Sequence, residues 1–383
     1  MNSVEAVEQL TMSSADFIYE PTLVIPHQRG RRFSGQRVIR RRDGKLMMIV
    51  TSGRPPADFG EVQIEELKPE IYFSNDNGRS WRFKGMMDIE WNLTGMMSDG
   101  GISLLYLHDG RLAAVIHRNL PKMHGGGMPI FSTSSDDGET WQPARKLVDI
   151  DDVFYVMNAR LRQLSNGRLI LPVAHLPRLQ NTETYSEGDV CESRCFSSDD
   201  GGETWDFSPY EGRAVLDGDI RGMAEPAVEV LDGENLIMLA RTGAGCLCAS
   251  YSSDGGLNWT RPVETTLVSP CSSFALQKTP DEKLMVIYNH VQPLEPGSFF
   301  PRNPLAYSIS SDGGISWSQP CWIDRHGVDS DEKDFRYVYP DICFTDEGVL
   351  VTYSSHISSV KKGFAESKVP CEDEGIKSVM IRY

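Results

Sequence analysis

Apolar runs in this chain repeatedly end on residues of another kind. Glu225 stands before the run 227–239 and Arg241 follows it; Tyr339 stands before 342–353 and His356 follows it. Asn158–Arg160 and His175 bracket 161–173, Gly101 and His117–Arg118 bracket 104–116, and Ser272–Ser273 and Asn289–His290 bracket 274–288. Ser34–Arg37 and Arg54 do the same for 38–50. A rim that is polar only because it meets water would carry Lys, Glu, Ser and Thr. This set is rich in Arg, His and Asn, with one Glu, one Tyr and no Lys, which points to a site. Guanidinium forks suit a small planar oxyanion. Histidines invite the rival reading of a metal, but the chain has no HxH or HxxxH spacing, and no metal or other cofactor is expected.

The elements that must position these residues are legible as two interleaved repeats. Each apolar run has an Asp/Asn-Gly type turn at its middle, as in LLYLHDGRLAAVI (104–116) and AVEVLDGENLIML (227–239), and reads as a β-hairpin. There are six: 38–50, 104–116, 161–173, 227–239, 274–288 and 342–353. Between them recurs an acidic turn closed by tryptophan: SNDNGRSW (74–81), SSDDGETW (134–141), SDDGGETW (198–205), SSDGGLNW (252–259) and SSDGGISW (310–317). The tryptophan spacings of 60, 64, 54 and 58 residues mark a repeat architecture. A unit of about 60 residues with four strands matches one propeller blade. The expected fold is all-β, a six-bladed β-propeller of four-stranded antiparallel blades. The sixth hairpin leaves too few residues for a blade of its own, so the N-terminal segment 16–25 is expected to join the C-terminal blade and close the ring. One domain over 1–383 is expected, with 1–15 a loosely ordered extension.

Bulk composition narrows the function classes. The chain has 383 residues, 40% hydrophobic and 24% charged, with a net charge of −16. That balance argues against a nucleic-acid partner, which needs a basic face. It leaves room for an anionic small substrate, because an arginine cluster in a cleft outweighs the global field locally. No run approaches the ~20 apolar residues of a membrane span, and no membrane partner is expected. The N-terminus lacks the basic start and apolar core of a secretory signal, so a cytoplasmic protein or a trimmed secreted one is expected. The eight cysteines are scattered and are read as reduced thiols.

Five turns at blade spacing, four of them S-x-D-x-G-x-[T/S]-W and one with Asn258 at the seventh position, resemble the sialidase (neuraminidase) superfamily, in the BNR or Asp-box repeat group. The segment MAEPAVEVLDGENLIMLAR (223–241) is similar to the family stretch that opens on a Glu and closes on an Arg. The resemblance implies that Glu225 polarises a tyrosine nucleophile and that Arg241 grips the substrate carboxylate. PRNPLAYSISSDGGISW (301–317) is similar to the stretch carrying another such arginine, which points to Arg302. YVYPDICFTDEGVLVTYS (337–354) resembles the segment that opens on the nucleophile, Tyr339. The first hairpin, ending in Arg54, precedes a loop that in the family carries the acid/base Asp, here Asp58, with Glu61 in reserve. The family's first carboxylate-binding arginine has its slot at Ser34, with Arg32 and Arg37 nearby. Around these, Asn158, His117, His175 and His290 are expected to line a glycan site. The implied activity is exo-glycoside hydrolysis of a terminal acidic sugar with retention of configuration. A tyrosine suits it, because a carboxylate nucleophile would be repelled by the sugar's own carboxylate. The alternatives are a lyase or hydrolase for another uronate- or rhamnose-containing polysaccharide, and a non-catalytic glycan-binding propeller.

Overall fold

In the computed structural model each of the six apolar segments is an antiparallel hairpin, with facing pairs such as Val38–Met48, Leu104–Ala114, Val228–Met238 and Ile342–Val351. The structure describes residues 20–27, 32–53, 69–89, 96–119, 127–150, 152–157, 159–176, 190–209, 219, 221–330, 333–358 and 373–382. Nothing in the described residues is helical, and no helix there is long and apolar enough to cross a membrane.

Each hairpin is extended by two more strands. The first sheet runs Arg32–Arg40, Leu46–Gly53, Glu70–Ser74 and Arg82–Met86. The fourth runs Ala224–Asp232, Asn235–Arg241, Cys246–Ser252 and Val263–Val268, and the fifth Ala275–Lys278, Leu284–Asn289, Leu305–Ser310 and Cys321–Asp324. The last sheet takes Asp334–Thr345, Gly348–Ser358 and Asp373–Arg382, and its outer strand is the N-terminal Thr22–Pro26. Chain start and chain end are thus paired in one sheet, as the short sixth repeat requires. The second and third sets are joined, which the repeat did not foretell. The short strand Val153–Tyr155 pairs with Leu169–Leu176 and, through Phe154, with Gly127, merging them into a nine-stranded sheet.

Six hydrophobic clusters lie between successive sets of strands, and one of them joins the last sheet to the first. Because side chains alternate along a strand, one apolar run serves two clusters. Met47 and Ile49 pack toward the second set, while Met48 and Val50 pack toward the last sheet. Ile237 and Met238 divide in the same way. The first strand of the first sheet packs against both Met96–Tyr106 and Asp334–Thr345, and Ala275–Lys278 packs against both Ala224–Asp232 and Asp334–Thr345.

The acidic turns link third to fourth strands, far along each sheet from these first strands. In the turn at 134–141 the Thr140 N–H donates to Asp136 Oδ1 at 2.8 Å and the Thr140 hydroxyl to Oδ2 at 2.5 Å. The leading serine ties the turn as well: Ser134 Oγ donates to Asp136 and accepts from the Gly138 N–H at 2.8 Å. The same serine bonds recur at Ser74, Ser198, Ser252 and Ser310. Each tryptophan enters a different cluster, formed with the preceding sheet. Trp81, Trp205, Trp259 and Trp317 donate to the carbonyl three residues back, whereas Trp141 Nε1 is buried without a partner.

Candidate functional site

The first strands share an irregularity at their starts. Pairing slips between Ser34 and Arg37, Met97 and Ile102, Ala224 and Ala227, and Val338 and Asp341. Near each slip one residue has a left-handed backbone: Gly35 (φ 60°), Gly101 (φ 102°), Glu225 (φ 45°) and Tyr339 (φ 51°), with Ala159 (φ 56°) leading into the third set. Gly101 is required there, because a Cβ would run into the Val156 carbonyl oxygen. Glu225 and Tyr339 have no such licence, and a left-handed non-glycine costs about 1–3 kcal/mol. Such bulges re-aim side chains out of the strand alternation.

Glu225 is 6% exposed. Its Oε1 accepts from Arg241 Nη2 at 2.6 Å, and its Oε2 is buried with no hydrogen-bond partner. Arg241 ends the adjacent strand opposite Ala224, which fixes the pairing. Its Nη1 donates to the Cys271 carbonyl at 3.1 Å, and its guanidinium lies 5.4 Å from the Phe299 ring centre. Burial opposes the Arg241 charge most strongly, but Glu225 together with Cys271, Tyr339 and Cys191 carries the group above the usual arginine value. Arg302 Nε donates to the Phe299 carbonyl at 3.0 Å. Its own carbonyl takes the Tyr337 N–H at 2.9 Å and Asn289 Nδ2 at 3.0 Å. Burial pushes Arg302 down to about 10, against the charges of Tyr339 and Glu225, while Arg241 adds to the fall.

Tyr339 is held from two neighbouring sheets. Its N–H donates to Ser273 Oγ at 2.8 Å, and its carbonyl accepts Gln36 Nε2 at 2.7 Å. Ser273 lay in the sequence-derived set; Gln36 lay there only as part of the run 34–37. Arg160 is among the largest fully buried side chains of the described residues. It donates to the carbonyls of Glu225 (3.4 Å) and Phe274 (3.1 Å), and burial pushes it down to about 9. Glu225, Arg241, Arg302 and Tyr339 are therefore close enough to act on one another, with Arg160 beneath Glu225.

Other expected site residues are engaged elsewhere. Arg37 is buried and donates to Asp341 Oδ1 at 2.8 Å and to the Ile342 carbonyl at 3.2 Å, a tie between the first and last sheets. The strand slip that frees Gly35 turns Arg37 inward. His117 accepts the Val156 N–H at 3.5 Å and stacks on Tyr155. His175 meets Asp152 at 2.9 Å between Phe154 and Phe207, and burial lowers its pKa. His290 contacts the Tyr288 hydroxyl at 3.2 Å and packs on Trp322, and burial lowers it as well. These histidines serve packing within their own sheets; their position after an apolar run could not distinguish that from a place in a cleft. Arg54, Asp58, Glu61 and Asn158 lie outside the described residues, as does the extension 1–15. Among the described residues seven cysteines are free thiols and no group of three or more His, Cys, Asp or Glu could hold a metal.

The profile of the BNR repeat-like domain matches residues 104–352. No curated protein matches the chain by sequence. Among solved structures, a protein of unknown function from Dyadobacter fermentans is similar with a TM-score of 0.68 at 18% identity, covering 94% of this chain and 98% of that one. The leech intramolecular trans-sialidase is similar with a TM-score of 0.66 at 11% identity, covering 100% and 72%. The Trypanosoma rangeli sialidase is similar with a TM-score of 0.60 at 16% identity, covering 92% of this chain but 55% of that one. At such identities the likeness shows the fold alone.

Proposed function

The chain belongs to the BNR repeat-like family, with a sialidase-type fold, and from that premise we propose that it is a retaining exo-glycoside hydrolase for a terminal, sialic-acid-like sugar. The observation that carries this reading is that two left-handed residues, Glu225 and Tyr339, both act on Arg241 and on Arg302, with one Glu225 oxygen left without a partner. In this reading the sheets close as a six-bladed propeller in a single domain, supported by the six shared clusters and the paired termini.

Arg241 and Arg302 hold the sugar carboxylate bidentately. The Tyr339 oxygen attacks the anomeric carbon while its proton passes to Glu225, and the bond to the leaving oxygen breaks. Asp58 protonates that oxygen, then takes a proton from the water that hydrolyses the tyrosyl–sugar bond, while Glu225 returns its proton to the departing Tyr339 oxygen. A neutral nucleophile avoids repulsion by the substrate carboxylate. The test is release of 4-methylumbelliferone from its sialoside by wild type and Tyr339→Phe. Turnover by wild type and a loss of at least about 100-fold in the variant are expected; equal rates in both sink the mechanism.

A second reading draws on Arg37. With that arginine tied to Asp341 and Ser34 in the family's slot, the grip on the terminal sugar's carboxylate rests on two arginines, Arg241 and Arg302, rather than three. This favours a different acidic sugar, such as a uronide, acted on by hydrolysis or elimination, or bound without turnover. A uronide in the same assay, with ultraviolet absorbance monitored for an unsaturated product, separates these.

A further inference from the structure

We propose that Arg221 forms a second anion subsite beside Arg241, so that the preferred ligand is a glycan whose neighbouring sugar also carries a carboxylate. This rests on the acidic-glycan reading above and extends it. Arg221 is half-buried and held in place: its Nε donates to the Gly297 carbonyl at 3.1 Å, and its guanidinium lies 4.5 Å from the Phe299 ring centre. The same ring is faced by Arg241, and the Phe299 carbonyl accepts Arg302. One residue therefore gathers three arginines.

The charges there do not balance. Glu225 is bonded to Arg241 and also acts on Arg160 and Arg302, while Asp341 acts on Arg160; neither is bonded to Arg221. Arg160 spends donors on two carbonyls, and one substrate carboxylate would occupy Arg241 and Arg302. Arg221 remains. No carboxylate lies within ion-pair distance of it among the described residues; the nearby Asp219 gives Oδ1 to the N–H groups of Arg221, Gly222 and Gly243. Elsewhere arginines of this acidic chain are paired: Arg40 with Asp346, Arg111 with Asp109, Arg145 with Glu203 and Arg168 with Asp199. Arg160 and Arg302 likewise form no ion pair among the described residues, so arginines without an acid gather at this site. The Arg221 charge also reaches Cys191 and Cys271, both of which feel Arg241 and Glu225. Its two terminal nitrogens form the planar fork that matches a carboxylate, against an apolar wall that strengthens the interaction.

The experiment is calorimetric titration in a Tyr339→Phe background, so that ligands stay intact, with Arg221 native or changed to Gln. The probes are lactose, sialic acid with one carboxylate, and disialic acid with two. Disialic acid is expected to bind about tenfold more tightly than sialic acid when Arg221 is present, the scale of a charged hydrogen bond. Arg221→Gln should erase that difference and leave sialic acid within about twofold, whereas Arg302→Gln should weaken both. Equal affinity for the two acidic probes with Arg221 present, or an equal loss for both in Arg221→Gln, overturns the second subsite and leaves the acidic-glycan reading intact. Binding of neither acidic probe overturns both.

Discussion

Replacing Asp341 by Ala tests whether Arg37 is a tie or a substrate group. Asp341 is 1% exposed and accepts from Arg37 Nη1 at 2.8 Å and from the Val38 N–H at 2.7 Å. Its loss leaves a buried guanidinium without its acid, which costs about 3–5 kcal/mol, and a buried N–H without an acceptor, about 1 kcal/mol more. At roughly 2 cal/mol/K of unfolding entropy per residue, a loss of ~4 kcal/mol lowers the melting temperature by about 5 °C. Removing both partners with Arg37→Met and Asp341→Leu should recover most of this, since an apolar pair of similar volume replaces a desolvated ion pair. Urea unfolding followed by tryptophan fluorescence measures the free energies, and sialic acid titration measures ligand affinity. The expected result is a large stability loss in Asp341→Ala, partial recovery in the double variant, and affinity unchanged in that variant. If Asp341→Ala stays within about 1 kcal/mol of wild type while Arg37→Met abolishes binding, the tie is wrong and Arg37 grips the ligand.

The acidic turns should set the acid limit of stability. The Thr140 and Thr204 hydroxyls, ahead of their N–H groups, hold Asp136 and Asp200 down at about 2, and the Ser316 hydroxyl lowers Asp312. Folded values below the unfolded carboxylate range mean that this stability is present above about pH 4 and is lost as pH falls toward about 2. The carboxylates are largely solvent-exposed, so each contributes at most about 1 kcal/mol. Asp136→Ala should lower the urea midpoint at neutral pH while leaving turnover unchanged; lost turnover at unchanged stability refutes the scaffold role. Arg160→Met removes the donors on the Glu225 and Phe274 carbonyls, and should cut kcat at least about tenfold with KM little changed, because Glu225 loses its left-handed seat. Arg160→Lys should restore part of it, and wild-type kcat in Arg160→Met would show that Arg160 only fills space.

How much could be read from residues alone follows from the range of the interactions. The hairpins at 104–116 and 227–239 were legible because their alternation and turns are set by neighbours in sequence. The acidic turns were legible for the same reason: Thr140 reaches Asp136 and Trp205 reaches the Gly202 carbonyl within one turn. The N-terminal strand was inferred from a deficit in the last repeat, and it pairs with Asp373–Arg382. Glu225, Arg241, Arg302 and Tyr339 were nominated by likeness of segments, and Glu225 and Arg241 are neighbours through one hairpin register.

What the sequence could not hold is which way a strand-end residue turns. Arg37 and Arg241 both flank apolar hairpins, yet one faces Asp341, far away in the chain, and the other faces Glu225 across its own hairpin. His117, His175 and His290 follow apolar runs as Arg241 does, but Tyr155, Phe154 and Trp322 take up their rings. Sequence by itself determined the repeating sheets, because strand alternation and turn hydrogen bonds act over a few residues. The tertiary structure decided the site, because the left-handed bulges at Glu225 and Tyr339 and the arginines around Phe299 depend on packing between sheets whose residues are remote in the chain.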